Sequence, residues 1–242
     1  IMVDIHNHVL PNIDDGSKSI DMSISMLEHA FNQGISDVIN TVHFQHPLFP
    51  NIDYSIDRFK KIANLIKSEL EKMDISINIH FGAEVFYQNN LLKLIDEPIA
   101  TLGNGKYMLI EFLPYHIPKS HKKTLFDLKM KGVTPIIAHP ERYKLVQNSI
   151  DIVYDWINAG CIIQIDAGSV IGMLGKMAKK TSRLLIEEGC CHILSSDAHN
   201  DSNRNFCIKD SYIYAKTIIG EDADLLVFDH PKAVIKGDDL CF

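Results

Sequence analysis

Lys131-Gly132-Val133-Thr134-Pro135-Ile136-Ile137-Ala138-His139 carries a helix stop, an apolar strand and a polar strand end in one short stretch. The glycine suits the left-handed backbone that closes a helix. The apolar run behind it has the length and β-branched content of a strand. The same order recurs in QGISDVIN (33–40), AGCIIQID (159–166) and EGCCHILS (188–195). A repeated helix–Gly–strand grammar implies βα units and a parallel sheet.

Outward from this stretch, strands are expected at 2–6, 37–41, 77–84, 107–112, 134–138, 161–166 and 191–196. Helices are expected at 19–33, 55–73, 89–96, 119–131, 150–158, 173–188 and 205–218, with a weaker one at 223–228. In the second of these, Ile56, Phe59, Ile62, Ala63, Ile66 and Leu70 form one helical stripe. The 242 residues are 46% hydrophobic and show no linker or low-complexity segment, so 1–242 is read as a single domain. A closed or nearly closed β/α barrel fits best, with an open doubly wound sheet as the alternative. The chemical residues favour the barrel, because they end six or seven different strands rather than meeting at one crevice.

A net charge of −7 argues against a nucleic-acid or anionic-membrane surface. No apolar run reaches the roughly 18 residues of a membrane span, and no signal peptide precedes the first strand. The five cysteines are odd in number and lack C-x-x-C spacing, so they read as reduced thiols of a cytoplasmic protein. A cysteine-nucleophile phosphatase needs arginine six positions after its cysteine. Ala167, Ser196, Asp197 and Ile213 stand six after Cys161, Cys190, Cys191 and Cys207, which excludes that chemistry.

The strand ends carry metal-ligand residue types. His6 and His8 form an H-x-H pair whose rings share one face of a strand. His43, Glu84, Glu111 and His139 end the next four strands, and Asp197 and His199 end the seventh. A carboxylate at the end of an apolar strand is costly to bury unless a cation partners it. Imidazoles with carboxylates suit zinc, manganese or iron. Asp14-Asp15-Gly16 reads as a turn as readily as a ligand loop, with Asp15 the candidate ligand. Asp166 ends strand six but reads as a loop cap, and His46 as a rim residue. His80 lies about 13 Å below Glu84 and reads as a packing or hydrogen-bonding residue. Arg142 and Arg204 flank ligand segments, and a guanidinium fork matches a phosphate; a surface salt bridge is the plainer reading of each.

These motifs resemble the PHP (polymerase and histidinol phosphatase) superfamily. More narrowly, the chain resembles the bacterial PHP-type protein-tyrosine phosphatases of capsular and exopolysaccharide operons. The likeness runs through VDIHNHVLPNIDDGSKS, FGAEVFY, YMLIEF, GVTPIIAHPERY, AGSVIGMLGK and SSDAHNDSNRNF. It implies a distorted (β/α)7 TIM-like barrel with three divalent ions, manganese first, with iron or zinc also suited. His6, His8, Glu84 and Asp197 would hold one ion. Glu84, Glu111 and His139 would share a second, and Asp15, His43 and His199 a third. Arg142 and Arg204 fall where the family contacts phosphate. Thr41-Val42-His43 departs from the Thr-Pro-His or Thr-Ser-His of many relatives but keeps the ligand.

The reaction so implied is hydrolysis of a phosphomonoester by a metal-bridging hydroxide, formed because bound metal lowers the pKa of water toward about 7. His43 and His199 qualify as proton donors where metal does not claim them. The implied partner is the phosphotyrosine tail of a tyrosine autokinase, which loops 47–54 and 114–119 would flank; a homo-oligomer is left open. The rival readings are another PHP phosphoesterase, such as a histidinol-phosphate phosphatase, and a non-catalytic binding module.

Overall fold

In the computed structural model, which describes residues 1–241, seven parallel strands hydrogen-bond in chain order. They are β1 (Met2–Asn7), β2 (Ile35–Phe44), β3 (Asn78–Phe86), β4 (Tyr107–Glu111), β5 (Thr134–Ala138), β6 (Ile162–Asp166) and β7 (Ile193–Ser195). β1 meets β7 through an Asn7–Ala198 bridge, with the His8 amide donating to Ala198 O at 2.8 Å and the Asp197 amide to His6 O at 2.8 Å. The sheet is therefore a nearly closed barrel, and the open doubly wound alternative is excluded. It is distorted at β3. That strand pairs with β2 from Asn78 to Val85 but with β4 only at Glu84, Val85 and Phe86. A 3₁₀ turn, Pro98–Thr101, packs beside its lower half.

Every strand-to-strand connection except β3–β4, which is made of 3₁₀ turns, returns through α-helix packed on the sheet. α1 (Ile20–Asn32) and α2 (Ile56–Glu71) start at Ser19 and Ser55, whose hydroxyls accept from the Met22 and Arg58 amides. On α2 the buried residues are Phe59, Ala63, Ile66 and Leu70, as the periodicity predicts. α3 (His121–Met130), α4 (Lys144–Asn148), α5 (Asp151–Asn158), α6 (Ala167–Ile171), α7 (Lys176–Glu187) and α8 (Ile208–Ile219) complete the outer layer. Inside the barrel, Ile5, Ile39, Leu109, Ile136, Ile162 and Ile193 pack together from six strands. On β3 the lumen position is Gly82; a Cβ there would lie 2.7 Å from Leu102, which fills the space instead. Val234 of α9 (His230–Lys236) joins the same cluster.

One helical expectation is corrected. The stretch 89–96 forms only a 3₁₀ turn, Leu91–Leu94, because Pro98 starts a separate turn soon after. The weak helix expected at 223–228 is helical, wound as a π-helix over Leu225–Asp229, and it runs on into α9, an element the sequence reading leaves out. Pro231 lies in the first turn of α9, where a missing amide proton costs nothing. β2 is longer than expected and places His43 inside the strand. Among the described residues, no helix is long and apolar enough to cross a membrane.

Candidate metal centre

The C-terminal strand ends bring His43, Glu84, Glu111, His139, Asp197 and His199 to the wall of one cavity of about 140 Å³, open to the mouth, with His6 and His8 buried against Glu84 and Asp197. The segment after β1 folds back over it. The Ser17 amide donates to His8 O at 3.0 Å, and a Cβ on Gly16 would lie 2.1 Å from that same oxygen. Only glycine permits this approach, which brings Asp15 to the mouth and Asp14 beneath it. The Asp14-Asp15-Gly16 sequence is thus both a turn and part of the site.

Three sets of donor atoms converge: His6, His8, Glu84 and Asp197; His8, Asp15, His43 and His199; and His43, Glu84 and Glu111. His6 Nε2 lies 3.3 Å from both Glu84 Oε2 and Asp197 Oδ1, and His8 Nε2 lies 3.5 and 3.4 Å from the same two atoms. Asp15 Oδ1 is 3.2 Å from His43 Nε2 and 3.4 Å from His199 Nε2. Two ligands about 2.1 Å from a shared ion, at octahedral or tetrahedral angles, stand about 3.0–3.4 Å apart. The observed spacings suit coordination. His6 Nε2, His8 Nε2, His43 Nδ1, Glu111 Oε2 and Asp197 Oδ1 are also buried without a hydrogen-bond partner. Orphaned polar atoms are costly in a protein interior. A cation shared among them removes that cost.

The opposite ring nitrogens are tied down. His6 Nδ1 is 3.0 Å from Gln164 Oε1, His8 Nδ1 is 2.8 Å from Asp14 Oδ2, and His199 Nδ1 is 2.8 Å from Asp197 O. Each of those oxygens accepts a ring proton, which leaves the inward nitrogen a lone pair for metal. The acids make the cavity a strong cation trap. Burial works against charging His6, yet Glu84 and Asp197 reverse this and push its imidazole up to about 10. Burial and repulsion from Glu84 together lift Glu111 well above the carboxylate range.

His139 lines the same cavity. It stands outside the three donor sets, and its Nε2 lies 2.7 Å from Glu84 Oε1. That contact pairs Nε2 with the carboxylate and leaves the buried His139 Nδ1 without a hydrogen-bond partner. Glu84 Oε2 faces His6, His8 and His43, so this carboxylate spans the cluster. His139 and Asp197 hold positive φ, 33° and 49°. Such backbone is strained for residues other than glycine and gathers at functional sites.

Arg142 and Arg204 line the cavity and are not surface salt bridges. Arg142 Nη1 donates to Asp197 Oδ2 at 2.8 Å and to Asp166 Oδ2 at 3.1 Å, while Arg204 Nη2 donates to Asp197 Oδ2 at 2.6 Å. Asp166 is therefore more than a loop cap: fully buried, it anchors Arg142. Asp14 and Gln164, which hydrogen-bond His8 and His6, are further residues of the site that the sequence reading missed, since contacts between side chains leave no local pattern. His46 lies at the rim, with Nε2 3.7 Å from Glu111 Oε2. His80 bonds Asp37 at 3.0 Å, away from the cavity.

The model of the family described as capsular polysaccharide synthesis, CpsB/CapC, matches residues 2–236. The chain belongs to the CpsB/CapC family. It is 34% identical over 209 residues to a putative tyrosine-protein phosphatase CapC of Staphylococcus aureus, covering 86% of this chain and 81% of that protein. It is 31% identical over 236 residues to the tyrosine-protein phosphatase YwqE of Bacillus subtilis, covering 97% and 92%. A crystal structure from work on YwqE and the Streptococcus pneumoniae CpsB, termed unique metal-dependent tyrosine phosphatases, superposes with a TM-score of 0.91 at 29% identity. That match covers 99% of this chain and 96% of the other. The sequence resemblance and the barrel it implied are both borne out.

Proposed function

We propose that this chain is a metal-dependent protein-tyrosine phosphatase, a phosphoric monoester hydrolase acting on the tyrosine-phosphorylated tail of an autokinase of capsule or exopolysaccharide synthesis. One observation carries the reading: orphaned imidazole and carboxylate atoms converge beneath two arginines in an open cavity. The family relatives named tyrosine-protein phosphatases support the aryl substrate.

The site fits three divalent ions, with manganese our first choice. His6, His8, Glu84 and Asp197 would hold one; Asp15, His43 and His199, beside His8, another. Glu84 and Glu111 would share the third, with His139 turning from its hydrogen bond to join them and His43 as the competing ligand. When bound, such ions supply Lewis acidity and a water acidified to near neutrality.

The residues of the chain do the rest. Arg142 and Arg204 offer guanidinium protons to the phosphoryl oxygens, where charge is spread in the transition state. Asp197 and Asp166 hold those forks in place before substrate arrives. His43 and His199 flank Asp15 at the mouth and would pass a proton to the leaving oxygen only where an ion does not claim their ring nitrogens. A phenol leaves with a pKa near 10, so it needs less help than an alkyl alcohol. Residues 1–242 act as one unit in this reading, and a cytoplasmic site follows from the kinase tail.

The test pairs a manganese-loaded protein with a phosphotyrosyl peptide and with histidinol phosphate. Hydrolysis of the peptide should dominate and should vanish on chelation and in His139→Ala. Faster turnover of histidinol phosphate moves the chain to the rival phosphoesterase class, and an inert metal-loaded protein supports the binding-module view.

A further inference from the structure

We propose that Leu48 and Phe49 form an apolar wall that selects an aryl group on the phosphorus. This deepens the phosphatase reading and rests on it. Apart from these two, every side chain lining the cavity is charged or an imidazole. They sit together on a tight turn after β2, closed by the Phe49 amide donating to His46 O at 3.0 Å. The Phe49 ring stacks on His43, with centroids 4.9 Å apart and planes 15° apart. Leu48 is 77% exposed at the mouth.

What sets Leu48 apart from other exposed apolar side chains is its place at the mouth of the cavity that holds the candidate ligands. It is placed to meet something. Arg142 and Arg204 lie on the β5–β7 side through Asp197, whereas the wall stands on the β2 side through His43. A phosphoryl group held by the arginines and the ligand cluster must send its ester substituent outward, past Leu48 and Phe49. A flat apolar ring would bury against them; an alkyl alcohol or a polyol would not.

The wall is also fixed in advance. Gln45, at its base, holds a left-handed φ of 50°, unusual for a glutamine. Its Nε2 donates to Phe86 O at 2.8 Å, its backbone carbonyl accepts from Gln88 Nε2 at 3.0 Å, and its Oε1 accepts from Asn90 Nδ2 at 3.0 Å. The Tyr54 hydroxyl ties the same segment to His43 O at 3.1 Å. Such pinning lowers the ordering cost of binding.

Calorimetric titration of the manganese-loaded chain with phenylphosphonate and with methylphosphonate tests this without catalysis. We expect a preference for the phenyl compound of about tenfold, the scale of half-burying one ring. Leu48→Ser with Phe49→Ala should reduce it to below about threefold, and Phe49→Tyr should keep it. Should the paired change disturb the His43 side of the site, Leu48→Ser alone, at an exposed position, should still lower the preference by about twofold or more. A native protein without preference, or a preference that outlasts both Leu48→Ser and the paired change, overturns the proposal. If the preference exists but phosphotyrosyl peptide is not hydrolysed, the functional reading fails and the wall stands.

Discussion

Asp14 Oδ2 lies 2.8 Å from His8 Nδ1 and 3.1 Å from the His43 amide, so one buried carboxylate orients two candidate ligands from different strands. Burial alone would raise this acid, but His8 and His43 outweigh it and hold the carboxyl at about 2. Its charge is thus present throughout the working range. Asp14→Asn keeps the shape and loses that charge. We expect metal affinity to fall by about 10- to 100-fold, as when outer supports of metal-bound histidines are removed. Competition with a fluorescent chelator reads this directly; affinity equal to the native protein would deny Asp14 any supporting role.

Arg142 reaches Asp166 and Asp197 with the same nitrogen, and a lysine cannot reproduce a planar fork aimed at both these acids and a phosphoryl group. Arg142→Lys should lower kcat/KM for a phosphotyrosyl peptide by about 100-fold, near the cost of losing one transition-state donor. Metal content, measured by mass spectrometry, should stay at the native level. A fall in metal content matching the fall in rate would instead make Arg142 a structural brace for Asp197.

The fold was legible because its grammar is local. Gly34, Gly132, Gly160 and Gly189 mark helix ends before strands, and all four adopt the positive φ expected of them. The β5 bounds, Thr134–Ala138, match the expectation to the residue. The candidate ligands were legible because a polar residue after an apolar strand is conspicuous, and a barrel brings all such ends to one mouth. Three things were hidden. Asp166 looked like a cap because its partner, Arg142, is 24 residues away on another strand end. Asp14 looked like turn chemistry because Gly16 beside it explains a turn just as well. α9 was missed because His230-Pro231 reads as a breaker, although proline is welcome in a first helical turn.

Metal removal should destabilise the chain. Without cations, Glu84, Glu111 and Asp197 crowd one buried cavity, where like charges oppose each other. An ion held at 100 times its Kd contributes about 2.7 kcal/mol. For a chain of this length that corresponds to about 5–10 °C in Tm. Thermal scans with manganese and after chelation should differ by at least about 5 °C. Coincident transitions would mean that the cluster holds no ion in the folded state.

Acid sensitivity should trace in part to His192, far from the cavity. Its Nδ1 accepts from the Ile163 amide at 2.9 Å, in a buried setting at the base of β7. Burial, with His230 nearby, lowers its imidazole to about 4. An unfolded histidine titrates near 6.5, so between these values the unfolded chain binds more protons than the folded one. Stability from this group is full above about 6.5, falls as pH drops, and levels off below about 4. The integrated loss is up to about 3 kcal/mol. His192→Asn retains an acceptor for Ile163 but cannot titrate. The native protein should therefore lose more stability than the variant between pH 7 and pH 4, by about 2–3 kcal/mol in urea denaturation. Parallel pH profiles for the two proteins would show that the imidazole charges as freely when folded as when unfolded.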